Sequence, residues 1–271
     1  MRDPYPLRCY GVSEMTELVT FLPFAILALL VGVFIGCVGI GGVLLVPGLV
    51  YLVGMDVQVA IATCMFSYLF SGAVGAVEYA RRGSIQWSMA LWLCVGAMPG
   101  AYLGAATVSV LSARWLEAII AVLVLFSGVY ALRQRTPEAS RGALPGAAGL
   151  GLVGGVTGFG SALSGTGGPL VLIPILVWMK LPLLTAVGLS QVIQLPIAAL
   201  ATVGNFQHGE VDVTASLAIA VLLMLGVVVG ARVAHRLPAD LLKRIVALVL
   251  MAVGVAMVIR IVYGIWASAQ A

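Results

Sequence analysis

Long apolar stretches separated by short polar ones run through the chain, five in each half. A stretch of about 20 apolar residues predicts a membrane-spanning helix, because at 1.5 Å per residue it crosses the roughly 30 Å hydrocarbon core. The second stretch of each half is too short to cross, follows a glycine cluster and contains proline. We therefore expect two half-helices or re-entrant arms among spanning helices. The predicted segments are 18–37, 42–54, 57–79, 87–108 and 114–132, then 144–163, 169–180, 183–205, 213–233 and 240–263.

The second half of the chain repeats the first at a constant offset of 126 residues. The run Gly-Ile-Gly-Gly at 39–42 returns as Gly-Thr-Gly-Gly at 165–168, and the register holds with almost no gap. Doubled units in strongly apolar chains are typical of transporters built around a pseudo-two-fold axis. Other matching pairs include Gly32 and Gly158, Leu44 and Leu170, Ala60 and Ala186, Gly100 and Gly226, and Gly128 and Gly254.

The composition places these segments in a bilayer. Apolar residues make up 62% of the chain and charged residues 9%, with a mean hydropathy of +1.15. A soluble domain carries about a quarter charged residues. The chain is thus predicted to be an all-α integral membrane protein with the lipid bilayer as a partner. We expect one membrane domain over 1–271, made of a first repeat (18–132), a cytoplasmic linker (133–143) and a second repeat (144–263).

Charged residues predict that the second repeat lies upside down relative to the first. Five segments is an odd number, so the second copy starts on the opposite face. Loop 80–86 carries two arginines, whereas its equivalent around Gly209 carries acidic residues and no lysine or arginine; the bias reverses between 107–114 and 232–244. Cytoplasmic loops collect Lys and Arg. This topology puts ten of the fourteen basic residues in the cytoplasm and both termini outside, and it explains the charge of +4 without nucleic acid.

The paired glycine clusters are the predicted substrate site. Inverted-repeat transporters bind substrate near the midplane at interrupted helices, and a helix that begins there aims unpaired N–H groups at an anion. The open alternatives are that the glycines only allow close helix packing and that the nearby glutamines only join helices. The candidate substrate-binding residues are Gly39, Gly41, Gly42, Gly165, Thr166, Gly167, Gly168, Thr63, Ser67, Ser190, Gln191 and Gln194.

Other chemistry finds no support in the sequence. We find no nucleophile–base set, metal-ligand spacing or phosphate loop, so we predict no catalytic residues, no metal site, no cofactor and no enzyme activity. Cys37, Cys64 and Cys94 lie in apolar segments and are interpreted as small buried side chains. Proton-driven carriers usually keep an acidic residue in the pathway, and the apolar interior lacks one. We therefore expect an anion to leave down the membrane potential.

The glycine clusters and their flanks resemble the TauE/SafE sulfite exporter family. The resemblance is carried by residues 36–42, the run Ala-Ile-Ala-Thr at 60–63, and the second-half runs 158–160, 165–169 and 186–188. It implies a bacterial or archaeal inner-membrane protein that exports small sulfur-containing anions such as sulfite, sulfoacetate or related organosulfonates. Carriage of another small solute or a metal ion stays open, as do a membrane sensor or assembly subunit that transports nothing, and a homodimer.

Overall fold

The computed structural model describes residues 10–39, 41–133, 146–234, 244, 248, 251–260 and 262–263, and for 10–23, 127 and 130–133 it describes the backbone alone. This part of the chain is helical and contains no strand, as the sequence predicts. The predicted linker lies outside it from residue 134 onward. The helices are α1 (Tyr10–Val38), α2 (Leu45–Gly48), α3 (Val57–Arg81), α4 (Trp87–Val110), α5 (Ala113–Arg133), α6 (Ala147–Ser164), α7 (Pro169–Trp178), α8 (Leu183–His208), α9 (Val213–Ala234) and α10 (Met251–Arg260).

The first short segment departs from the regular helix expected over 42–54. A 3₁₀ turn (Gly42–Leu44) precedes α2 and a π turn (Leu49–Val53) follows it. Pro47 lacks an N–H group, so it cannot continue the ladder of i to i−4 hydrogen bonds. The hydrogen-bond pattern therefore changes along the segment, which ends at Gly54 in a left-handed conformation. Its counterpart α7 is a regular helix that starts with Pro169, because proline is well tolerated in a first turn.

The outer surface and the interior have the reverse polarity of a soluble protein. Large apolar side chains such as Leu91, Leu152 and Trp178 are exposed, whereas Gln191 and Gln194 are buried. Five described helices are long and apolar enough to cross a bilayer: α4, α6, α8, α9 and the first 24 residues of α3. An apolar surface of this extent needs lipid as its solvent, so the protein is an all-α integral membrane protein.

Glycines bring two helix pairs into backbone contact, α4 with α6 and α1 with α9. A Cβ atom added to Gly100 in α4 would collide with the backbone of Gly155 and Phe159 in α6. One added to Gly226 in α9 would collide in the same way with Leu29 and Val33 in α1. Every member of the second contact lies 126 positions from a member of the first. The two halves therefore pack on each other reciprocally, and small residues allow the close approach.

The contacts also fix the relative direction of the helices. Helices α3 and α8 are antiparallel, since Gln194 contacts Gly72 and Tyr68 whereas Gln191 contacts Gly75, further along α3. These two helices are repeat equivalents, so equivalent spans cross in opposite directions. The inverted repeats predicted from the sequence would have their pseudo-two-fold axis at this crossing. Tyr68 and Gln194, themselves 126 positions apart, are joined by a hydrogen bond close to that axis.

The glycine packing yields a test on one helix. Gly154→Ala in α6 should lower stability by about 1–3 kcal/mol, the usual cost of overpacking, because its methyl group would collide with Leu93 and Ala97 in α4. Gly151→Ala, one turn earlier, should be neutral or stabilising, since open space surrounds its Cβ position. Thermal unfolding in detergent measures both variants. Equal melting temperatures would contradict the close α4–α6 approach.

Candidate functional site

Both glycine clusters end a helix inside the protein and turn the chain back. Gly39 after α1 and Gly165 after α6 have positive φ values of 77° and 69°, which glycine adopts without strain. After the first break, Gly41 packs against Phe34 and Ile35, and Gly48 packs against Leu27. The segment 42–53 thus runs back along α1 as a hairpin arm and does not continue across the membrane.

The two breaks meet near the centre of the molecule. A Cβ atom at Gly42 would lie 2.9 Å from the carbonyl oxygen of Thr166, so the first cluster contacts the second directly. The fully buried Tyr68 lies between them, and its hydroxyl donates a 2.6 Å hydrogen bond to the Gly42 carbonyl. Its ring also lies against Gly167. Tyr68 therefore holds both breaks to α3.

The short segments begin with backbone amides that have no partner. In α7 the first recorded bond is from the Leu172 amide to the Gly168 carbonyl, at 3.2 Å. Within the described residues, no acceptor pairs with the amides of Gly167, Gly168 or Val171. Among the residues that the structure describes, none accepts a hydrogen bond from the amides of Gly42 or Val43 in the first 3₁₀ turn either. Amides at a helix start carry a partial positive charge and suit an anion.

The two glutamines join the helices that carry the breaks. The Gln191 side-chain amide donates to the carbonyl of Ile35 at 2.9 Å, and that of Gln194 donates to the carbonyl of Tyr68 at 3.2 Å. Both side chains are buried. The oxygen Oε1 of Gln191 has no hydrogen-bond partner, so its amide is half satisfied. Gln191 and Gln194 thus position the breaks, and Gln191 keeps one buried acceptor that a water molecule can satisfy.

The remaining candidates divide between the break region and other helices. Ser190 lies beside Gly39, at 3.2 Å from its Cβ position, and Gly168 packs against α8. Ser67 instead donates to the Ser216 carbonyl in α9 at 2.8 Å, so it joins α3 to α9 away from the meeting point. Thr63, one turn earlier, is buried with an unpaired hydroxyl. Gly165 packs against the first repeat and Gly41 packs against α1.

Sequence reasoning did not consider Tyr68 as a candidate, and it noted Thr157 and Ser161 beside the second cluster without including them in the candidate set. Tyr68 aligns with Gln194 at the 126-residue offset, which was the signal available for it. Thr157 and Ser161 lie on α6, before the second break, with buried hydroxyls that have no partner. Buried polar atoms of this kind are rare in native structures unless water or a ligand pairs with them. Among the described residues, no group of three or more His, Cys, Asp or Glu side chains is placed to hold a metal ion.

Comparison with known proteins identifies the family of this chain. Residues 24–257 match the family model described as sulfite exporter TauE/SafE. The probable membrane transporter protein YdhB of Bacillus subtilis is 26% identical over 227 residues, covering 79% of this chain and 90% of that protein. A probable membrane transporter protein of Methanocaldococcus jannaschii is 25% identical over 182 residues, covering 64% and 68%.

A shorter match is to a plant protein. Sulfite exporter TauE/SafE family protein 2 of Arabidopsis thaliana is 43% identical over 60 residues, covering 22% of this chain and 13% of that protein. No solved structure matches. The family model spans both glycine clusters and most of the helices that hold them. The chain is therefore a multi-pass membrane transporter that belongs to the TauE/SafE sulfite exporter family.

Proposed function

We propose that this protein exports small sulfur-containing anions, such as sulfite, sulfoacetate or related organosulfonates, across the inner membrane by alternating access. The observation that carries the proposal is the meeting of Gly42 with Thr166, where two interrupted segments bring unpaired amides together. The name of the family and that of its Arabidopsis member refer to sulfite export, which supports the choice of substrate. The substrate binds between the two breaks.

The chemistry around the breaks favours a small anion. Tyr68, Ser190, Gln191 and Gln194 are uncharged and already donate to carbonyl groups of the protein, so the partial charges of the unpaired backbone amides provide the binding. Oxygen atoms of a sulfonate or sulfite accept hydrogen bonds from such donors. Because none of the described residues at the breaks is a lysine or arginine, the anion is held weakly enough to leave. A carrier needs this balance between binding and release.

The distribution of charged loops supports an orientation. We name the face that holds the loop after α3 the Arg82 face, and the opposite face, where α3 begins, the Asp56 face. The Arg82 face is cytoplasmic in this proposal, because Lys and Arg collect in cytoplasmic loops. Both termini then lie outside the cell. A monovalent anion that leaves a cell with negative interior gains about 2.3 kcal/mol per 100 mV, enough for a nearly 50-fold gradient.

The energy source gives the first test. Purified protein in liposomes should release sulfite or sulfoacetate faster when a potassium diffusion potential makes the interior negative. A pH gradient of equal energy should have little effect, because no acidic residue lies at the breaks. Flux that follows the pH gradient and ignores the potential would contradict this mechanism. Empty liposomes and liposomes without an ionophore are the controls.

Thr166 gives the second test, at the level of binding. Thr166→Val keeps the shape and removes a buried hydroxyl at the meeting point, which bonds to the Ser164 hydroxyl at 3.0 Å and would turn from it to the anion. Loss of one hydrogen bond to a charged ligand should weaken sulfite or sulfoacetate binding by about tenfold or more. Thr107→Val is the matched control, because the Thr107 hydroxyl bonds to the Leu103 carbonyl of its own helix, α4.

Ligand-dependent thermal stabilisation in detergent measures both threonine variants. The parent and Thr107→Val should show the same rise in melting temperature with added anion, and Thr166→Val should need a higher concentration for it. Equal response of all three proteins would place the binding site elsewhere. A parent that responds to no anion of a broad panel would overturn the proposed substrate class.

A further inference from the structure

A crevice opens on the Asp56 face, outside the region where the breaks meet. Its volume is about 320 Å³, and it lies between the start of α3, the end of α4 and the end of α8. Ala62, Ala105 and Asn205 form its buried floor, while the exposed Asp56 and Glu210 lie at its mouth. A volume of this size accommodates a small solute with a few waters.

Asn205 provides the crevice with an unused donor. The residue is 4% exposed and lines the crevice, and its buried Nδ2 atom has no hydrogen-bond partner. A buried amide nitrogen without an acceptor costs free energy unless water or a ligand supplies one. The unsatisfied group is a donor, so the complementary ligand atom is an acceptor, such as an oxygen of a sulfonate, sulfite or carboxylate.

The 126-residue offset locates an equivalent place on the Arg82 face, and there the space is filled. Asn205 corresponds to Tyr79, a larger side chain whose hydroxyl donates to the Gly36 carbonyl at 2.8 Å. Ala62 corresponds to Gly188, which has the carbonyl of Ser84 at 3.2 Å from its Cβ position. The positions that form the crevice floor on one face are therefore packed on the other.

The largest difference between the crevice and its equivalent place is at His208 and its counterpart, Arg82. The Arg82 guanidinium donates a 2.6 Å hydrogen bond to the carbonyl of Ala231, so it joins the end of α3 to α9. The equivalent carbonyl in the crevice is that of Ala105. His208 instead turns back to the Gly204 carbonyl of its own helix, at 2.9 Å. Arginine has the length and the fixed donor geometry to bridge two helices, and histidine is too short.

We propose that the crevice is a substrate site on the transport path and that Arg82 closes its equivalent on the opposite face. Asn205 binds the anion, and release of the Arg82 bridge to Ala231 opens the Arg82 face as the crevice closes. The identity of the anion rests on the proposed function, whereas the gate rests on the contacts alone. The carboxylates of Asp56 and Glu210 repel an anion at the mouth of the crevice. This repulsion makes the crevice a site of release.

Cysteine reactivity at one matched pair of alanines tests the gate. Ala105→Cys lies in the crevice floor and Ala231→Cys at the equivalent closed position; both parent side chains are almost fully buried. A membrane-impermeant maleimide, applied to protein in detergent, should label Ala105→Cys about tenfold faster or more, since reactivity follows the population of the open form. The parent chain, with its own cysteines, sets the baseline.

Exchanging the two gate residues should then reverse the pattern. Arg82→His should raise labelling of Ala231→Cys and lower that of Ala105→Cys, and His208→Arg should lower labelling of Ala105→Cys by bridging the Ala105 carbonyl. Arg82→Lys, which keeps the charge and a donor, is the conservative control and should change both rates less. A misfolded variant would raise both rates together, so opposite changes at the two alanines identify a shift of the gate.

Two results would overturn the gate: equal labelling of Ala105→Cys and Ala231→Cys in the parent background, or rates that Arg82→His and His208→Arg leave unchanged.

Added sulfite or sulfoacetate should slow labelling of Ala105→Cys, and Asn205→Leu should abolish that protection. Intact gating without protection by any tested anion would overturn the substrate assignment alone. Protection without the predicted rate changes would overturn the gate alone.

Discussion

Backbone hydrogen bonding in a medium without water is the constraint on which this structure depends. Each peptide group inside a bilayer needs a partner within the protein, so a helix that stops there leaves several groups unpaired. This protein stops two helices, at Val38 and Ser164, and brings the breaks together. Tyr68 satisfies the Gly42 carbonyl and Gln191 binds the Ile35 carbonyl, while the amides that start the returning segments have no partner in the described part of the chain. Those amides are the groups for which an anion is the fitting partner.

The surrounding helices provide a rigid frame for the breaks. Backbone contacts through glycine hold α1 to α9 and α4 to α6, and each pair holds a helix of one repeat to a helix of the other. Between these pairs, α3 and α8 cross near Tyr68 and Gln194. The open crevice lies at one end of these crossing helices and the Arg82 bridge at the other. In the proposed cycle, a tilt of α3 and α8 about their crossing closes the first end as it opens the second.

Much of this arrangement could be predicted from the sequence because the bilayer limits the available structures. Apolar length located the spans to within a few residues, apart from the earlier start of α1 at Tyr10 and the part of the last segment outside the described residues. The 126-residue offset between the glycine clusters identified the two halves as repeats. The hydrophobic pattern could not predict side-chain direction. Ser67 turns to α9, and Tyr68, which looks like a core aromatic in the sequence, lies between the breaks. The irregular turns of 42–53 also depend on the N–H group that Pro47 lacks, and a hydropathy profile does not show this effect.

The central claim is that two copies of one unit face opposite sides of the membrane, and labelling in intact cells tests it most directly. Arg81→Cys lies at the end of α3 and Glu210→Cys in the loop after α8, and these two helices are repeat equivalents. An impermeant maleimide should label Glu210→Cys from outside and should reach Arg81→Cys only after the cells are made permeable. Labelling of both cysteines from the same side would show that the copies have the same orientation and would contradict the account.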